Sequence, residues 1–304
     1  RRGLVAVAGD RGYGKEAAID ALCTLWEQEQ RSVLRIALDR RLETAQGMNE
    51  WLVQALGLSH VPAGIDDLVA LIDAEVTAER VVLENVHLAF LRRVGGFGAL
   101  QQLLAVLNQA SDERFWVLTL HGPAYQYLRR LGDIVNLGVF RTILRMGPLS
   151  ETDLRAHCMR CTKEAGYEVD FSAIVHEDLF GADPEVEHER SVSLLFSLLA
   201  ETSAGNPEVA LGLWTGCLCR TDQDHVLAVR PGTTFRTTPP EGLTDADLFA
   251  LTAVRTQAVL DEAELYRVMN EAPSRVRSTV RKLLGMGLME SRDGRVRIPI
   301  GRLP

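Results

Sequence analysis

The sequence predicts an α/β protein whose first half is a doubly wound parallel sheet, and three observations carry that prediction. Short apolar runs recur at 4–8, 33–38, 80–83, 115–120 and 141–145, each the length of a buried strand. Between them, 65–75 and 97–108 carry apolar residues at helical spacing, long enough for right-handed crossovers between parallel strands. A glycine-rich stretch also separates the first strand from a helix over 16–28, with Ala17, Ala18, Ala21, Leu22 and Leu25 on its apolar side.

Composition bounds the rest. The chain has 304 residues, 46% hydrophobic and 24% charged, which excludes disordered and collagen-like classes and predicts more than one core. No apolar run reaches the ~18–20 residues that would span a bilayer; the longest, 192–200, stops at Glu201. A net charge of −8 argues against nucleic-acid binding by the whole chain. Five cysteines do not make a disulfide framework, so the expected compartment is the reducing cytoplasm. The chain opens Arg1-Arg2-Gly3 straight into a strand, without Met or signal peptide, which reads as part of a longer protein.

The glycine-rich stretch carries the first chemistry. Gly9, Asp10, Arg11, Gly12, Tyr13, Gly14 and Lys15 fit G-x-x-x-x-G-K, the P-loop pattern in which glycines let amides curl round phosphate oxygens and the lysine adds a point charge. The chain has only three lysines, Lys15, Lys163 and Lys282. The pattern calls next for a Ser or Thr hydroxyl on Mg²⁺, and the chain offers Glu16. That carboxylate either repels a triphosphate or turns outward toward the helix dipole. The second signal is Glu84-Asn85, closing an apolar strand where an acid would serve Mg²⁺ through water; Asn85 cannot accept a proton from an attacking water. At the end of the strand over 115–120, Thr119 and His121 are the candidates for γ-phosphate contact.

The last third reads differently. Residues 230–241 form a proline- and glycine-bearing linker. Thr244 caps a helix to about Gln257, 261–270 make a second, and Pro273 opens a third that Gly285 stops. Alternation round Asp293-Gly294 then predicts a hairpin. Three helices and a hairpin make a winged helix-turn-helix. Arg275, Arg277 and Arg281, with Lys282, lie on or near its third helix, and Arg292, Arg295 and Arg297 on its wing, where DNA phosphates would be met. From Thr244 onward 10 basic residues face 8 acidic ones, so a partner-docking role with solvated arginines stands beside DNA binding. Cys158, Cys161, Cys217 and Cys219 with His157 could supply zinc ligands, but a mid-helix pair and a gap of more than 50 residues favour small buried thiols, and no metal is assigned.

Taken together, the 9–15 loop, Glu84-Asn85, the 115–121 strand, Pro148-Leu149-Ser150 opening a helix and Gly205-Asn206-Pro207 resemble the AAA+ and STAND group of P-loop ATPases, nearest the branch with origin-recognition and transposition-helper ATPases. The resemblance covers most of the chain. It implies a P-loop core over 1–148, a helical lid over 149–230 and a winged-helix domain over 231–304. The lid would comprise helices over 150–165, 191–202 and 207–218, with 180–189 as an exposed acidic loop. It implies that Asn206 and Pro207 precede a helix placing an Arg near the γ-phosphate, where this chain has Glu208.

Three functions are compatible with these residues. One is a regulatory module binding ATP or ADP, with weak or absent hydrolysis, whose nucleotide state sets the positions of lid and winged helix. Another is a decayed P-loop scaffold for protein or DNA docking. The third is an active ATPase in a homo-oligomer, with an arginine finger supplied in trans by Arg129, Arg130 or Arg141.

Overall fold

The structure is a computed structural model that describes residues 3–110, 114–132, 134–174, 184–230 and 241–300. The chain forms two compact units: Arg1–Arg11, Lys15–Met146 and Gly242–Pro299 make the first, and Gly12–Gly14, Gly147–Glu241 and Ile300–Pro304 the second.

In the first unit β1 (Gly3–Gly9), β2 (Val33–Ala37), β3 (Arg80–Glu84), β4 (Phe115–His121) and β5 (Thr142–Arg145) form one sheet in the order β2-β3-β4-β1-β5. All its pairings are parallel, and β1 and β4 run in register from Gly3 opposite Phe115 to Gly9 opposite His121. This is the α/β P-loop fold that the strand spacing predicts. Strand periodicity sorts the side chains onto two faces. Leu4, Ala6 and Ala8 of β1 and Trp116, Leu118 and Leu120 of β4 enter the main core. That core is closed by α2 (Ala45–Leu56), α3 (Ile65–Glu75), α4 (Gly98–Ala110) and α5 (Gly122–Arg129). Val7, Val82 and Val117 point the other way, onto Ile19, Cys23 and Trp26 of α1 (Lys15–Gln28). Burial on both faces is why these strands read as unbroken apolar runs.

The helices α2 and α5 were not foreseen, although the caps of α2 are written in the sequence. The Thr44 hydroxyl accepts from the Gly47 amide, and Gly57 closes the helix at φ 70°. Gly122-Pro123 opens α5, where proline's fixed φ suits the first turn.

The second unit holds α6 (Glu151–Glu164), β6 (Glu168–Asp170), α7 (Pro184–Ser203), α8 (Pro207–Cys217), β7 (Leu218–Arg220) and β8 (Val226–Val229). Its core gathers Leu154, Cys158, Phe196, Trp214 and Val229, and Trp214 Nε1 donates to Thr162 Oγ1 at 2.9 Å. Ser150 caps α6 as read, its hydroxyl accepting from the Asp153 amide. The expected loop over 180–189 needs correction: 180–183 lie outside the described residues, but α7 begins at Pro184. Proline at the first position with Glu185 and Glu187 in the first turn is a helix start, their charges meeting the positive end of the dipole.

The C-terminal segment runs α9 (Asp245–Gln257), β9 (Leu260–Asp261), α10 (Glu262–Met269), α11 (Pro273–Gly285), β10 (Glu290–Arg292) and β11 (Arg295–Arg297). The predicted three helices and hairpin are all present, and the short β9 completes an antiparallel sheet β10-β11-β9. Thr244 with Asp247 and Asp261 with Glu264 form reciprocal capping boxes. Asp293 and Gly294 both take positive φ, 52° and 74°, as the two-residue hairpin turn demands. Gly285 proves to be the last residue of α11 rather than its stop, and the left-handed glycine is Gly287 at φ 66°. Most of the expected 230–241 linker lies outside the described residues.

The sequence reading set 231–304 apart, whereas Gly242–Pro299 belongs to the same compact unit as the sheet. The physical reason is Arg41. Its side chain, 4% exposed, pairs through Nε with Glu264 at 3.0 Å. Nη1 donates to the Phe90 carbonyl at 2.7 Å and to Gln257 Oε1 at 2.6 Å, and Nη2 to the Val259 carbonyl at 2.7 Å. Arg41→Ala would strand a buried carboxylate and several carbonyls, a loss of about 3–5 kcal/mol. Arg41→Lys should recover little, since an ammonium cannot span the same fork. Urea melts of both variants check this; an unchanged midpoint for Arg41→Ala would refute it.

Candidate functional site

In this sheet order the chain leaves β1 toward β2 on one side and leaves β4 toward β5 on the other, opening a crevice beyond the carboxyl ends of β1 and β4. Gly9 and His121 face each other across those ends. A Cβ on Gly9 would lie 2.8 Å from Met146 Cβ, so only glycine fits there. Gly12 and Gly14 take φ 88° and 77°, the left-handed turns from which anion-binding amide nests are built. Lys15 opens α1 and is buried.

Gly12 packs closely within its unit. A Cβ there would meet Asn206 Oδ1 at 2.5 Å, and the Gly12 carbonyl accepts from the Glu208 amide at 3.4 Å. Asn206 caps α8, its Oδ1 accepting from the amides of Glu208 and Val209 at 3.1 and 3.2 Å. Pro207 is the first residue of that helix. The Tyr13 hydroxyl donates to the Ala204 carbonyl at 3.3 Å.

The acids of the site are engaged. Glu16 is in an ion pair with Lys15 Nζ, the lysine side chain 9% and the glutamate 61% exposed. Burial draws the Glu16 carboxyl upward, but the hydrogen bond and charge of Lys15 outweigh it and hold the pKa below the usual range. Glu84 receives Arg35 Nε, and Arg35 Nη1 reaches Asp20 Oδ1 at 2.6 Å, a chain joining β3, β2 and α1.

Asn85 sits at φ 61°, left-handed for a residue with a side chain. Its amide donates to Thr119 Oγ1 at 3.1 Å and its Nδ2 to the Leu38 carbonyl at 3.3 Å, so Asn85 and Thr119 clip the ends of β3 and β4 together. His121 is buried, and its Nε2 lies 2.8 Å from the Arg255 carbonyl on α9. A carbonyl only accepts, so Nε2 carries the proton.

Four further residues of this region have contacts that the sequence does not assign to them. The Asp10 carboxylate lies against Gly122 at the start of α5, and burial raises its pKa against the opposing charges of Arg255 and Lys15. Arg11 stands 4.0 Å from Glu290 on β10. The His87 ring lies 5.7 Å from that of His121, centre to centre, with the two planes tilted 53° apart, and Arg255 supplies the carbonyl on His121. Asp10 and Arg11 occupy the variable positions of the loop motif, which gave a signal for them; His87 and Arg255 are brought in only by the fold.

On α11, Arg275 and Arg277 pair with Glu271 at 3.4 Å and Glu262 at 3.5 Å, all four exposed. Arg277 and Arg281, four residues apart, share a side of the helix, whereas Arg275 falls beyond the buried Val276. Arg295 lies on β11 opposite Asp261. Among the described residues no group of three or more His, Cys, Asp or Glu side chains is placed to hold a metal. Cys158 faces the core, where burial pushes its thiol up to about 12, and Cys161 lies beside His157. No helix among the described residues is long and apolar enough to cross a membrane.

No protein-family model and no curated protein sequence matches the chain. Among solved structures it is similar to domain III of the replication initiation protein DnaA from Thermotoga maritima, at 12% identity and TM-score 0.43, over 71% of this chain and 75% of that one. The ORC1 protein of Aeropyrum pernix, solved with DNA, gives 14% identity and TM-score 0.42 over 98% and 83%. The ORC2 protein of the same organism, in ADPNP-ADP complexes, gives 12% and 0.40 over 100% and 85%.

Burial pushes the His121 pKa down to about 4, while the unfolded chain titrates near ~6.5. Between those values the unfolded state binds the extra proton, so folding stability falls as pH drops through that window and is level above it. The slope from this group is about 1.4 kcal/mol per pH unit. His121→Gln keeps a donor for the Arg255 carbonyl and should flatten the fall, with His87 still contributing. Denaturant melts at about pH 7, 6 and 5 test this; parallel profiles would refute it.

Proposed function

We propose that this protein is a nucleotide-binding regulatory module of the AAA+ or STAND type, taking the phosphates of ATP or ADP on the 9–15 loop with weak or absent hydrolysis. The observation that carries the reading is Lys15, buried at the start of α1 after a loop with two left-handed glycines, at the crevice beside β4. Weak hydrolysis is supported by Glu84 held to Arg35 and by Asn85, which has no carboxylate to take a proton and spends its amide on Leu38. The carboxylates that would meet Mg²⁺ are Glu16 and Glu84, and each is already in an ion pair. That donor set does not fit a magnesium site.

Coupling to the C-terminal segment is supported by two contacts, Arg11 with Glu290 on β10 and His121 with Arg255 on α9. Ligand at the loop would bias the segment they reach. The order α9-β9-α10-α11-β10-β11 supports a winged helix, and Arg277, Arg281 and Arg295 are the residues by which it would meet DNA phosphates or an acidic partner.

Calorimetry with ATP and with ADP should give Lys15-dependent binding, lost in Lys15→Ala. Nucleotide at about a hundred times its dissociation constant should stabilise the fold by about 2.7 kcal/mol. Absence of both heat and thermal shift would leave only the scaffold reading. Robust turnover abolished by Glu84→Gln would establish an active ATPase instead.

A further inference from the structure

We propose that Glu16 is a built-in competitor of nucleotide phosphate for Lys15, setting the affinity of the loop from within. This rests on the nucleotide-binding reading and concerns the residue that stands where the loop pattern calls for a hydroxyl. The Lys15 ammonium, almost out of water, already has its counter-charge in the adjacent Glu16 carboxylate. A phosphate approaching Lys15 meets a neutralised cation and an anion beside it.

Glu16 has somewhere to go. It is the first acid of α1, with its side chain 61% exposed, and its neighbours Ala17 and Ala18 are exposed and small. Binding therefore exchanges one anion for another at a single ammonium, and the nucleotide must repay the broken pair. The charges around the exchange are Asp10 on the loop, Asp20 one turn along α1 and Arg255 from α9. The two aspartates disfavour a second anion, so displacement requires the carboxylate to leave toward solvent rather than deeper into the site. A threonine or serine at this place would carry no such cost.

The test is calorimetry with ADP in EDTA, which removes metal effects, on the whole chain as wild type, Glu16→Gln, Glu16→Thr and Lys15→Ala. Glutamine keeps the size and removes the charge; threonine restores the hydroxyl and gives a second chance of a well-folded variant. Both should bind about tenfold tighter than wild type, and adding Lys15→Ala to either should abolish the gain. If wild type binds in a Lys15-dependent way and Glu16→Gln binds equally or more weakly, the competition is wrong and the nucleotide reading survives. If neither wild type nor either Glu16 variant binds, both fall.

Discussion

A positive charge taken out of water has to be met where it stands, and two cations governed by that rule organise the first unit. Lys15 is met by its own neighbour, Glu16, at the mouth of the glycine loop. Arg41 is met by Glu264, by Gln257 and by main-chain carbonyls drawn from Phe90 and Val259, so its fork is filled from opposite ends of the chain. The two solutions differ in character. Arg41 is locked by many acceptors at once, and removing any one leaves the others in place. Lys15 has, among the described residues, one mostly exposed carboxylate as its partner, which makes its pairing exchangeable and gives the loop its chemical interest.

The strands and most helices were legible because their signals are local. A parallel strand buried on both faces is a plain apolar run, and the Asp293-Gly294 turn and the caps at Ser150, Thr244 and Pro273 name their own conformations. The two-residue β9 was not legible, because Leu260 and Asp261 become a strand only when β11 lies beside them. The start of α7 was misread because an acidic stretch after proline looks like a loop until its charges are placed against a helix dipole. In the site, the loop motif announced Lys15 and its glycines, whereas the partners of Glu84, Asn85, Thr119 and His121 come from positions remote in sequence, and no spacing rule reaches them.

Those partners give the site its character. Each polar group expected to face phosphate or water is occupied by the protein itself: Glu84 by Arg35, Asn85 by Thr119 and Leu38, His121 by Arg255. The unfavourable left-handed backbone at Asn85 persists because both its amides are satisfied there. A centre so thoroughly bonded to itself holds its position well, which is the property the regulatory reading proposed above needs.

The first unit is also discontinuous, with Gly147–Glu241 intervening between the sheet and Gly242–Pro299. Arg41 and Gln257 are 216 residues apart. During synthesis the sheet is therefore complete long before Gln257, Val259 and Glu264 exist, and until the intervening unit has emerged the guanidinium has only the carbonyls of its own half of the chain, Phe90 among them. Final closure is a long-range event, with the slow kinetics that distant contacts impose. Until it happens the nascent chain exposes the surface its own last helices will cover, and a chain halted after the second unit would be left in that state.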